Sequence, residues 1–451
     1  MDSDNSSKQS LTNYNESAES QQNKSDSRKT FSPKLSNEDC REILKTYLGY
    51  SEFELKTISW NSINQREGNL GDYYILNIHY RINGTDQEIN LFSKFLPSLN
   101  ESTNSMAKSG PSEKEDFFYT ALVKDFKRVG LGPYLDFFPK CYFSKVNYVL
   151  ILDNLALSNY ELVKPPIFYT FDMTRLTIRQ LAKLHASSLV YEEMKSIEQG
   201  KEFRMNRTFG KYLKEILFQT EEVDNVAQMT IVGIKAITEY LIPLFTDIPK
   251  QISMEEFIKR SQEAFRNVYI KLKPSSQFRN TFCHGDVWTT NVLFKFNQNK
   301  SPIDCKIVDY QLTRYCPPAQ DLMSHIYLTT AKESRTKYLQ FFIEDYYKNL
   351  TNIIDNFGLN IEKILPKKEF LESCDYMKAE GICQALLYGP INLVEERQDV
   401  FTNQEKFDVI MLKDRSEFVK EMMEKHPYYK KTLKDLIEDL CDVCEEGLHK
   451  L

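Results

Sequence analysis

The sequence predicts an α+β fold of two lobes, in which a small lobe of mixed β-sheet and helix precedes a larger, mainly α-helical lobe. Runs rich in β-forming residues are concentrated before residue 155, and apolar residues recur at helical spacing through most of the chain after it. These two observations divide the chain into three parts. Residues 1–35 form a polar tail, 36–155 the small lobe and 156–451 the helical lobe.

The tail is distinguished by its composition. Its first 30 residues contain eight serines and only four apolar side chains. Such a segment buries too little apolar surface to offset the entropy lost on ordering, so we expect it to be disordered. It also lacks the apolar stretch of a secretory signal, and we expect no such signal.

The composition of the whole chain argues against several classes of protein. A net charge of −6 over 451 residues leaves no basic excess for binding nucleic acid. No run of apolar residues approaches the roughly 18 needed for a membrane span. Nine cysteines are scattered without the spacing of a disulfide framework, which is typical of a reducing compartment. We therefore expect a cytoplasmic protein without an obligate protein partner.

The small lobe begins with a helix and a hairpin. The hydroxyl of Ser36 can cap a helix, and apolar residues follow it at helical spacing. Two β-rich runs then flank Asn83-Gly84, the sequence signature of a tight β-hairpin. The same patterns predict the remaining elements: strands over 73–80, 89–96 and 148–152, and a helix over 111–126.

The helical lobe contains segments long enough for extended helices. Residues 175–191 and 334–354 repeat apolar side chains every three to four positions. One stretch departs from this pattern, because 292–296 and 306–308 are short β-forming runs around a turn at 297–302. We therefore expect a small β-structure within the helical lobe.

This β-structure surrounds the residues that carry chemistry. His284, Asp286 and Asn291 lie in an H-x-D-x-x-x-x-N segment, and Asp309 follows a short strand. Phosphoryl transfer needs a carboxylate to orient and deprotonate the attacking hydroxyl, and oxygen ligands to hold Mg²⁺. We predict that Asp286 is the catalytic base and that Asn291 and Asp309 bind the metal. Taken singly, each has an ordinary explanation, since an isolated H-x-D arises by chance and aspartate often ends a strand.

The same residues carry a family resemblance. The segment His284-Gly-Asp-Val-Trp288 with Asn291, followed by Asp309-Tyr-Gln311 and Asp321, resembles the insect ecdysteroid kinase-like family. That family belongs to the choline kinase and aminoglycoside phosphotransferase group, so the resemblance implies a protein-kinase-like fold. Gly285 stands where protein kinases usually have arginine, and no Ala-Pro-Glu segment follows Asp309. Both departures argue against a protein kinase.

The resemblance implies an ATP site in the small lobe. Lys94 corresponds to the strand lysine that contacts ATP phosphates, and Glu115 to the helix glutamate that pairs with it. Gly68 and Gly71 lie in a turn whose backbone N–H groups would cover the phosphates. Considered on their own, apart from the catalytic-loop motif, Lys94 is interpreted as an edge-strand charge and Glu115 as a solvated helix residue. The two glycines are then an ordinary turn.

The resemblance implies further roles around these groups. Asp153 and Leu155 lie in the segment equivalent to the family's hinge, whose backbone contacts adenine, although the family commonly has an acidic pair at Asp153-Asn154. His284 and Asp321 are expected to support the catalytic loop. Trp288 is a candidate for lining the acceptor pocket, and packing beneath the loop is its alternative.

Three other features are assigned to packing. His185 is expected to be a satisfied core histidine. Cys441 and Cys444 lie on an apolar helix, and without a second pair we interpret them as buried helix residues rather than a zinc or redox site. Tyr310 replaces the more usual phenylalanine of an Asp-Phe-Gln motif, so its hydroxyl needs a partner if it is buried.

The resemblance implies an ATP- and Mg²⁺-dependent kinase that phosphorylates a hydroxyl of a small molecule, with ecdysteroids or related alcohols as acceptors. A kinase for another substrate is the first alternative: a xenobiotic alcohol in detoxification, a choline-like compound or an amino sugar. The second alternative is a catalytically silent protein that binds a hydrophobic ligand. The presence of Lys94, Asp286, Asn291 and Asp309 together argues against the silent protein.

Overall fold

The N-terminal part of the chain is built around an antiparallel sheet. The computed structural model describes residues 33–63, 71–98, 100–163, 168–219 and 225–447. The strands of the sheet are β1 Glu54–Ser62, β2 Asp72–Ile82, β3 Thr85–Phe95, β4 Cys141–Lys145 and β5 Val149–Asp153. Their order across the sheet is β1-β2-β3-β5-β4, which makes β3 the central strand.

The hairpin between β2 and β3 follows from the chemistry of its turn. Asn83 and Gly84 connect the strands with φ angles of 49° and 80°, and Ile82 pairs with Thr85 across the turn. Asparagine and glycine adopt positive φ at little cost, and such a turn matches the twist of the strands that it joins. The predicted hairpin is confirmed, and both strands are longer than predicted.

The helices of this part begin where capping favours them. Ser36 accepts a hydrogen bond on Oγ from the Asp39 N–H at 3.0 Å and so caps the predicted first helix. The predicted helix over 111–126 is present, with a π-helical turn at Phe118–Leu122 inside it. The helices are α1 Asn37–Leu48, α2 Glu101–Lys108, α3 Pro111–Phe117 and α4 Val123–Arg128.

Two strands of the sheet were not predicted from the sequence. β1 is largely exposed and has no run of apolar residues at alternating positions. β4 has five residues and is joined to β5 by a short turn. Both strands lie at edges of the sheet, where little burial is needed and the sequence pattern is correspondingly weak.

The remainder of the chain is mostly helical. The predicted helices over 175–191 and 334–354 are confirmed as α5 and α10, each extending beyond its predicted ends. The helices are α5 Phe171–Gln199, α6 Met205–Leu213, α7 Asn225–Lys235, α8 Met254–Lys271, α9 Ala319–Thr329, α10 Lys332–Asp355, α11 Ile361–Ile364, α12 Lys367–Asn392, α13 Arg397–Thr402, α14 Gln404–Leu412, α15 Ser416–Lys425 and α16 Pro427–Glu446.

Two small sheets within the helical part frame the predicted catalytic segment. Their strands are β6 Tyr160–Leu162, β7 Thr281–Cys283, β8 Val292–Phe296, β9 Pro302–Ile307 and β10 Arg314–Cys316. The order is β6-β8-β9 in one sheet, while β7 pairs with β10 in the other. β8 has the predicted bounds. The strand predicted over 306–308 is β9, which begins earlier and ends one residue sooner.

α12 lies at the centre of the helical part, where it packs against α8, α9 and α16. Gly381 lies where α12 meets α9, and a Cβ there would come within 2.8 Å of the Met323 carbonyl carbon. Only glycine permits this close approach of the two backbones. Both helices can therefore send side chains to the same place beneath the catalytic segment.

The architecture confirms the predicted α+β class, since an antiparallel sheet is followed by a mostly helical remainder. Leu35–Leu451 forms one compact unit, and the boundary predicted at residue 155 stays a prediction. Over the residues that the structure describes, no helix combines the length and apolar character needed to cross a membrane. Residues 1–32 of the predicted tail and Gly68 lie outside the described residues.

Candidate active site

The loop that follows β7 is held by its backbone. The N–H groups of His284 and Gly285 donate to the two carboxylate oxygens of Asp321, at 2.6 and 2.7 Å. Asp321 is buried at the start of α9, where these hydrogen bonds and His185 lower its pKa despite its burial. A charged carboxylate that accepts these hydrogen bonds holds the backbone of the loop in place.

Two further side chains support the loop and were not predicted. Gln384 Nε2 of α12 donates to the carbonyl oxygen of Gly285 at 3.2 Å. His325 Nδ1 of α9 lies 3.0 Å from the carbonyl oxygen of Val287 and donates to it. No motif joins these residues to the loop in the sequence. They reach it only because α9 and α12 pack together beneath it.

His284 connects the loop to the end of β9. Its Nδ1 accepts a hydrogen bond from the Asp286 N–H at 3.2 Å, so Nε2 carries the proton and donates to the Val308 carbonyl oxygen at 2.9 Å. Burial lowers the pKa of His284, which keeps the imidazole neutral as this pattern requires. The neutral ring thus links the backbone of Asp286 to that of Val308, the residue before Asp309.

Asp286 has one engaged and one open carboxylate oxygen. Its Oδ2 accepts a hydrogen bond from Asn291 Nδ2 at 2.9 Å. Its Oδ1 is buried and has no hydrogen-bond partner among the described residues. Burial, together with the nearby charge of Asp309, raises the pKa of Asp286 well above its usual range. A carboxylate oxygen in this environment is suited to receive a proton.

The backbone of Asn291 is joined to the residue that precedes Asp309. The Val308 N–H donates to the carbonyl oxygen of Asn291 at 2.9 Å, which places Asp309 beside the loop. Asp309 has φ of 73° and ψ of 61°, a left-handed conformation that aspartate tolerates better than most residues. An amide oxygen and a carboxylate are hard ligands of the kind that Mg²⁺ prefers. The donor set therefore fits that metal.

Lys94 lies on the central strand and not at an edge of the sheet. Its Nζ is 2.7 Å from Glu115 Oε2 and 2.6 Å from Asp309 Oδ1. Burial opposes the charged form, but the carboxylates of Asp309 and Glu115 outweigh it and raise the pKa of Lys94. A charged lysine therefore joins the sheet, α3 and the predicted metal site.

The other described residues of the predicted ATP site are Gly71, Asp153 and Leu155. A Cβ on Gly71 would come within 2.8 Å of Tyr73 Cε1, so the tyrosine ring covers this glycine. The Asp153 carboxylate accepts hydrogen bonds from the Lys140 N–H at 2.8 Å and the Tyr142 hydroxyl at 2.6 Å. Leu155 is half-buried at the start of a 3₁₀ turn. Because the Asp153 carboxylate is engaged within the sheet, contacts of this segment with a nucleotide would be made by its backbone.

A buried arginine beneath the loop was also missed by the sequence analysis. Arg314 is fully buried, and its Nε lies 2.8 Å from Glu215 Oε2. Its positive charge lowers the pKa of Asp286, against the effects of burial and Asp309. Gly285 has φ of 83°, and a Cβ there would lie 2.3 Å from the Leu312 carbonyl oxygen and 2.9 Å from Arg314 Nε. The glycine therefore leaves the space that the guanidinium occupies.

Lys114, the neighbour of Glu115, ties three segments together. Its Nζ donates to the carbonyl oxygens of Tyr212, Lys214 and Thr313, at 3.1, 2.6 and 2.7 Å. Burial lowers its pKa to about 7. The contacts join α3 to the end of α6, to the residue that follows α6 and to the chain that follows Asp309. They span about a hundred residues or more of sequence, which explains why no local pattern revealed them.

A cavity opens beside Asp286. The volume of the cavity, with its open mouth included, is about 1070 Å³, and its wall is mostly apolar. Asp286, Asn291 and Asp309 lie in its lining, so the chemistry and the cavity share one surface. Trp288 is 6% exposed and lines the same cavity, with the Arg397 guanidinium 5.3 Å from its ring centre. The tryptophan is thus both packed and part of the cavity wall.

His185 is a satisfied core histidine, as predicted. It is fully buried on α5, with Nε2 3.0 Å from Asp321 Oδ2 and Nδ1 2.7 Å from the Tyr346 hydroxyl. Burial favours the neutral ring, but the hydrogen bond to Asp321 outweighs it and raises the pKa of His185 to about 9. Cys283 lies within metal-binding distance of His185 and Asp321. Because both of these residues are already hydrogen-bonded, we interpret the three as a packed cluster.

Two predicted packing features can be checked directly. Cys441 and Cys444 are buried free thiols on α16, and burial raises the pKa of each to about 12. Tyr310 is also buried, with its ring stacked on Phe118 at a centroid distance of 3.7 Å. Its hydroxyl has no hydrogen-bond partner among the described residues, so the partner that the sequence analysis required is not found there.

Comparisons with known proteins bear on the identity of this site. A family model described as the ecdysteroid kinase-like family matches residues 68–359, nearly two thirds of the chain and the whole stretch from Lys94 to Asp321. No curated protein matches the sequence. Among solved structures, the chain is similar to a choline/ethanolamine kinase family protein from Mesorhizobium loti. The two are 12% identical over 84% of this chain and 92% of that one, with a TM-score of 0.31.

Proposed function

The chain belongs to the ecdysteroid kinase-like family, and from this premise we propose that it is a kinase that transfers the γ-phosphoryl group of ATP to a hydroxyl of a small molecule. The observation that carries the proposal is that Asp286, Asn291 and Asp309 lie at the wall of one cavity, with Lys94 ion-paired to Asp309 behind it. The residues come from the sheet, the catalytic loop and the end of β9. A silent carrier would have no need to retain all four in this arrangement.

Asp286 acts as the catalytic base in this proposal. The acceptor oxygen forms a bond to the γ-phosphorus, the bond from that phosphorus to the bridging oxygen breaks, and ADP leaves with the electron pair. The proton of the hydroxyl passes to the open Oδ1 of Asp286, while Asn291 holds Oδ2. The products are the phosphate ester, ADP and one proton, so atoms and charge balance.

Asn291 and Asp309 would hold Mg²⁺, which supplies positive charge against the phosphate oxygens when it is bound. Lys94 donates a hydrogen bond to Asp309 Oδ1, so the lysine and a metal held by Asp309 would be placed close to the same phosphates. Lys94 stays charged because two carboxylates flank it. Its role is to bind a phosphate oxygen and to offset the charge of the transferred group.

The nucleotide is proposed to lie along the sheet side of this cluster. Lys94 and Glu115 would orient its phosphates, and the segment containing Gly68 and Gly71 would cover them. The backbone at Asp153 and Leu155 would contact the adenine. These assignments rest on the family resemblance and on the position of Lys94 at the centre of the sheet.

The acceptor is proposed to bind in the cavity beside Asp286. The apolar wall suits an alcohol with a large apolar body, and ecdysteroids or related alcohols are the first class to test. Xenobiotic alcohols encountered in detoxification have the same general chemistry. A choline-like acceptor would need an aromatic and acidic cage for its cation. An amino sugar would need several carboxylates and is less favoured, since the wall has only those of Asp286 and Asp309 among the described residues.

The proposal is tested by γ-phosphoryl transfer from labelled ATP to a panel of ecdysteroids, plant phenolics, choline and amino sugars. We expect transfer to an apolar alcohol that requires Mg²⁺. Asp286→Asn should reduce turnover by about 10²-fold or more, because the proton then has no acceptor, while ATP binding is retained. Turnover unchanged in this variant would remove Asp286 from the role of base. Absence of Mg²⁺-dependent nucleotide binding in the native chain would favour the silent carrier.

Asp309→Ala provides a separate test of the metal site. We expect Mg²⁺-dependent ATP binding to weaken by about 10–100-fold, since one of two protein ligands is lost. Asp304→Ala is a matched control, because this carboxylate lies on β9 and hydrogen-bonds to Tyr160 and Gln180 instead. Calorimetric titration of ATP with and without Mg²⁺ measures both variants. Equal Mg²⁺ dependence in Asp309→Ala and native protein would contradict the assignment.

A further inference from the structure

The cavity beside Asp286 contains a charged side chain that the proposed chemistry does not use. Apolar residues form most of its wall, among them Leu217, Met229, Leu387 and Ile391. Arg415 lines the same wall and is only 3% exposed. Placing a guanidinium in an apolar cavity costs free energy, because the charged group loses its hydrating water there. Its surroundings therefore indicate what it could bind.

Arg415 has no carboxylate partner among the described residues. Its Nη1 donates to the Leu387 carbonyl oxygen at 3.3 Å and its Nη2 to the Met229 carbonyl oxygen at 3.1 Å. Its Nε is buried without any hydrogen-bond partner. Two other buried arginines have carboxylate partners: Arg314 lies 2.8 Å from Glu215, and Arg335 lies 2.6 Å from Asp439. Arg415 thus retains unused N–H groups and an unneutralised charge.

The guanidinium remains charged in this position. Burial lowers its pKa to about 10, which still leaves it protonated near neutral pH. In surroundings of low polarity, an anion that reaches it would form a strong, charge-assisted pair. A neutral carbonyl or hydroxyl would satisfy hydrogen bonds but leave the charge uncompensated. The stronger complement to this side chain is therefore an anion.

Arg415 and the reacting residues belong to different parts of the cavity wall. Arg415 is hydrogen-bonded to carbonyl oxygens of α7 and α12, whereas Asp286 and Asp309 lie in the loops that follow β7 and β9. The cavity nevertheless includes all three residues in one lining. A ligand that occupies it can therefore place one group at Asp286 and another at Arg415, with apolar contacts between them.

We propose that the acceptor is an amphipathic hydroxy acid, whose hydroxyl lies at Asp286, whose apolar body fills the cavity and whose carboxylate pairs with Arg415. This inference rests on the proposed function, because it takes the cavity to be the acceptor site. It narrows the acceptor from apolar alcohols in general to those that carry a negative charge away from the phosphorylated hydroxyl. Arg415 is then a specificity-determining residue of the acceptor site.

The test uses a graded series of ω-hydroxyalkanoic acids, from short to long chains, and their methyl esters. Binding to the native full chain is measured by calorimetry without nucleotide. We expect the acid to bind about tenfold or more tightly than its ester at the chain length that spans the cavity. Equal binding of acid and ester at every length, or binding of neither series, would overturn the proposal.

Variants separate the guanidinium from general effects on the fold. Arg415→Gln should abolish the preference for acids, and Arg415→Lys should retain part of it because the charge remains. Arg335→Gln is the control, since it removes a buried arginine that is paired with Asp439 and does not line this cavity. The control should keep the preference. If Arg415→Gln does not fold, the acid and ester comparison on the native chain still decides the question.

Binding and transfer are measured independently, so the two proposals can fail separately. A preference for acids without any phosphoryl transfer would leave Arg415 as an anion site and refute the kinase. Transfer to neutral alcohols without a preference for acids would support the kinase and refute the role of Arg415. An acid that is both bound preferentially and phosphorylated would support both.

Discussion

At the scale of single residues, the site depends on buried groups whose charge is set by their neighbours. Asp286 is buried with an open carboxylate oxygen, Lys94 is flanked by two carboxylates, and Asp321 receives two backbone N–H groups. Each arrangement favours one protonation state over the other. The residues that perform the proposed chemistry are thus prepared for it before any substrate binds.

His185 gives a prediction about pH. Its pKa in the folded chain, about 9, lies above its ordinary value of 6.5. The ion pair with Asp321 therefore contributes stability that is fully present below pH 6.5 and is lost as the pH rises through about 9. The quantity to compare is the free energy of unfolding of the native protein minus that of His185→Gln. We expect this difference to be about 1–3 kcal/mol larger at the acidic end of this range than at its alkaline end.

Urea unfolding at several pH values across this range measures that difference. His79→Gln is a suitable control, because His79 is a half-exposed residue of β2 outside the site. A stability gap between native protein and His185→Gln that does not change with pH would contradict the assignment of a charged imidazole.

At the scale of elements, the catalytic loop depends on a backbone conformation that only glycine can adopt in that space. Gly285 has positive φ, and a Cβ there would collide with the Leu312 carbonyl oxygen. Arg314 and the β7–β10 pair lie directly against it. The loop, the small sheet and the buried arginine therefore form one packed unit, in which a change at any member affects the others.

Gly285→Ala is expected to destabilise the chain by about 2–4 kcal/mol, because the methyl group adds a steric clash to the cost of positive φ. Gly84→Ala is a control that measures the cost of positive φ without the steric clash. Gly84 also has positive φ, but a Cβ there meets nothing within 4 Å, so we expect a loss of only about 1 kcal/mol. Thermal unfolding of both variants tests the difference. Equal losses would mean that the clash at Gly285 is relieved by movement of the loop.

At the scale of the whole molecule, the sheet and the helical part meet through charged side chains. Lys94 of β3 binds Asp309 at the end of β9, and Lys114 of α3 binds carbonyl groups of the helical part. The cavity proposed for the acceptor opens next to the same cluster. The proposed phosphate chemistry and the proposed acceptor binding therefore share one junction between distant parts of the chain.

The polar tail gives a prediction at this scale. Its composition indicates that residues 1–30 contribute little to the core, so their deletion should change the melting temperature by about 1 °C or less and leave transfer unaffected. Calorimetric melting of the truncated and full chains measures this. A drop of several degrees would show instead that the tail packs against the remainder.

The sequence by itself determined the features that depend on residues close to one another. The Asn83-Gly84 turn, the Ser36 cap and the spacing from His284 to Asn291 each act within a few positions, so local chemistry was enough to predict them. The α+β class and the family followed from the same patterns, and both are confirmed. The roles of Asp286, Asn291 and Asp309 stay predictions that the geometry supports.

Only the tertiary structure decided which distant residues serve the site. Lys94 and Asp309 are 215 positions apart, and Gln384 reaches the loop across 99 positions. Nothing in the sequence marks Arg314 and Arg415 as buried; packing buries both, and among the described residues only Arg314 has a carboxylate partner. The physical reason is that burial and long-range pairing arise from how the helices pack, and neither leaves a periodic or local signal in the chain.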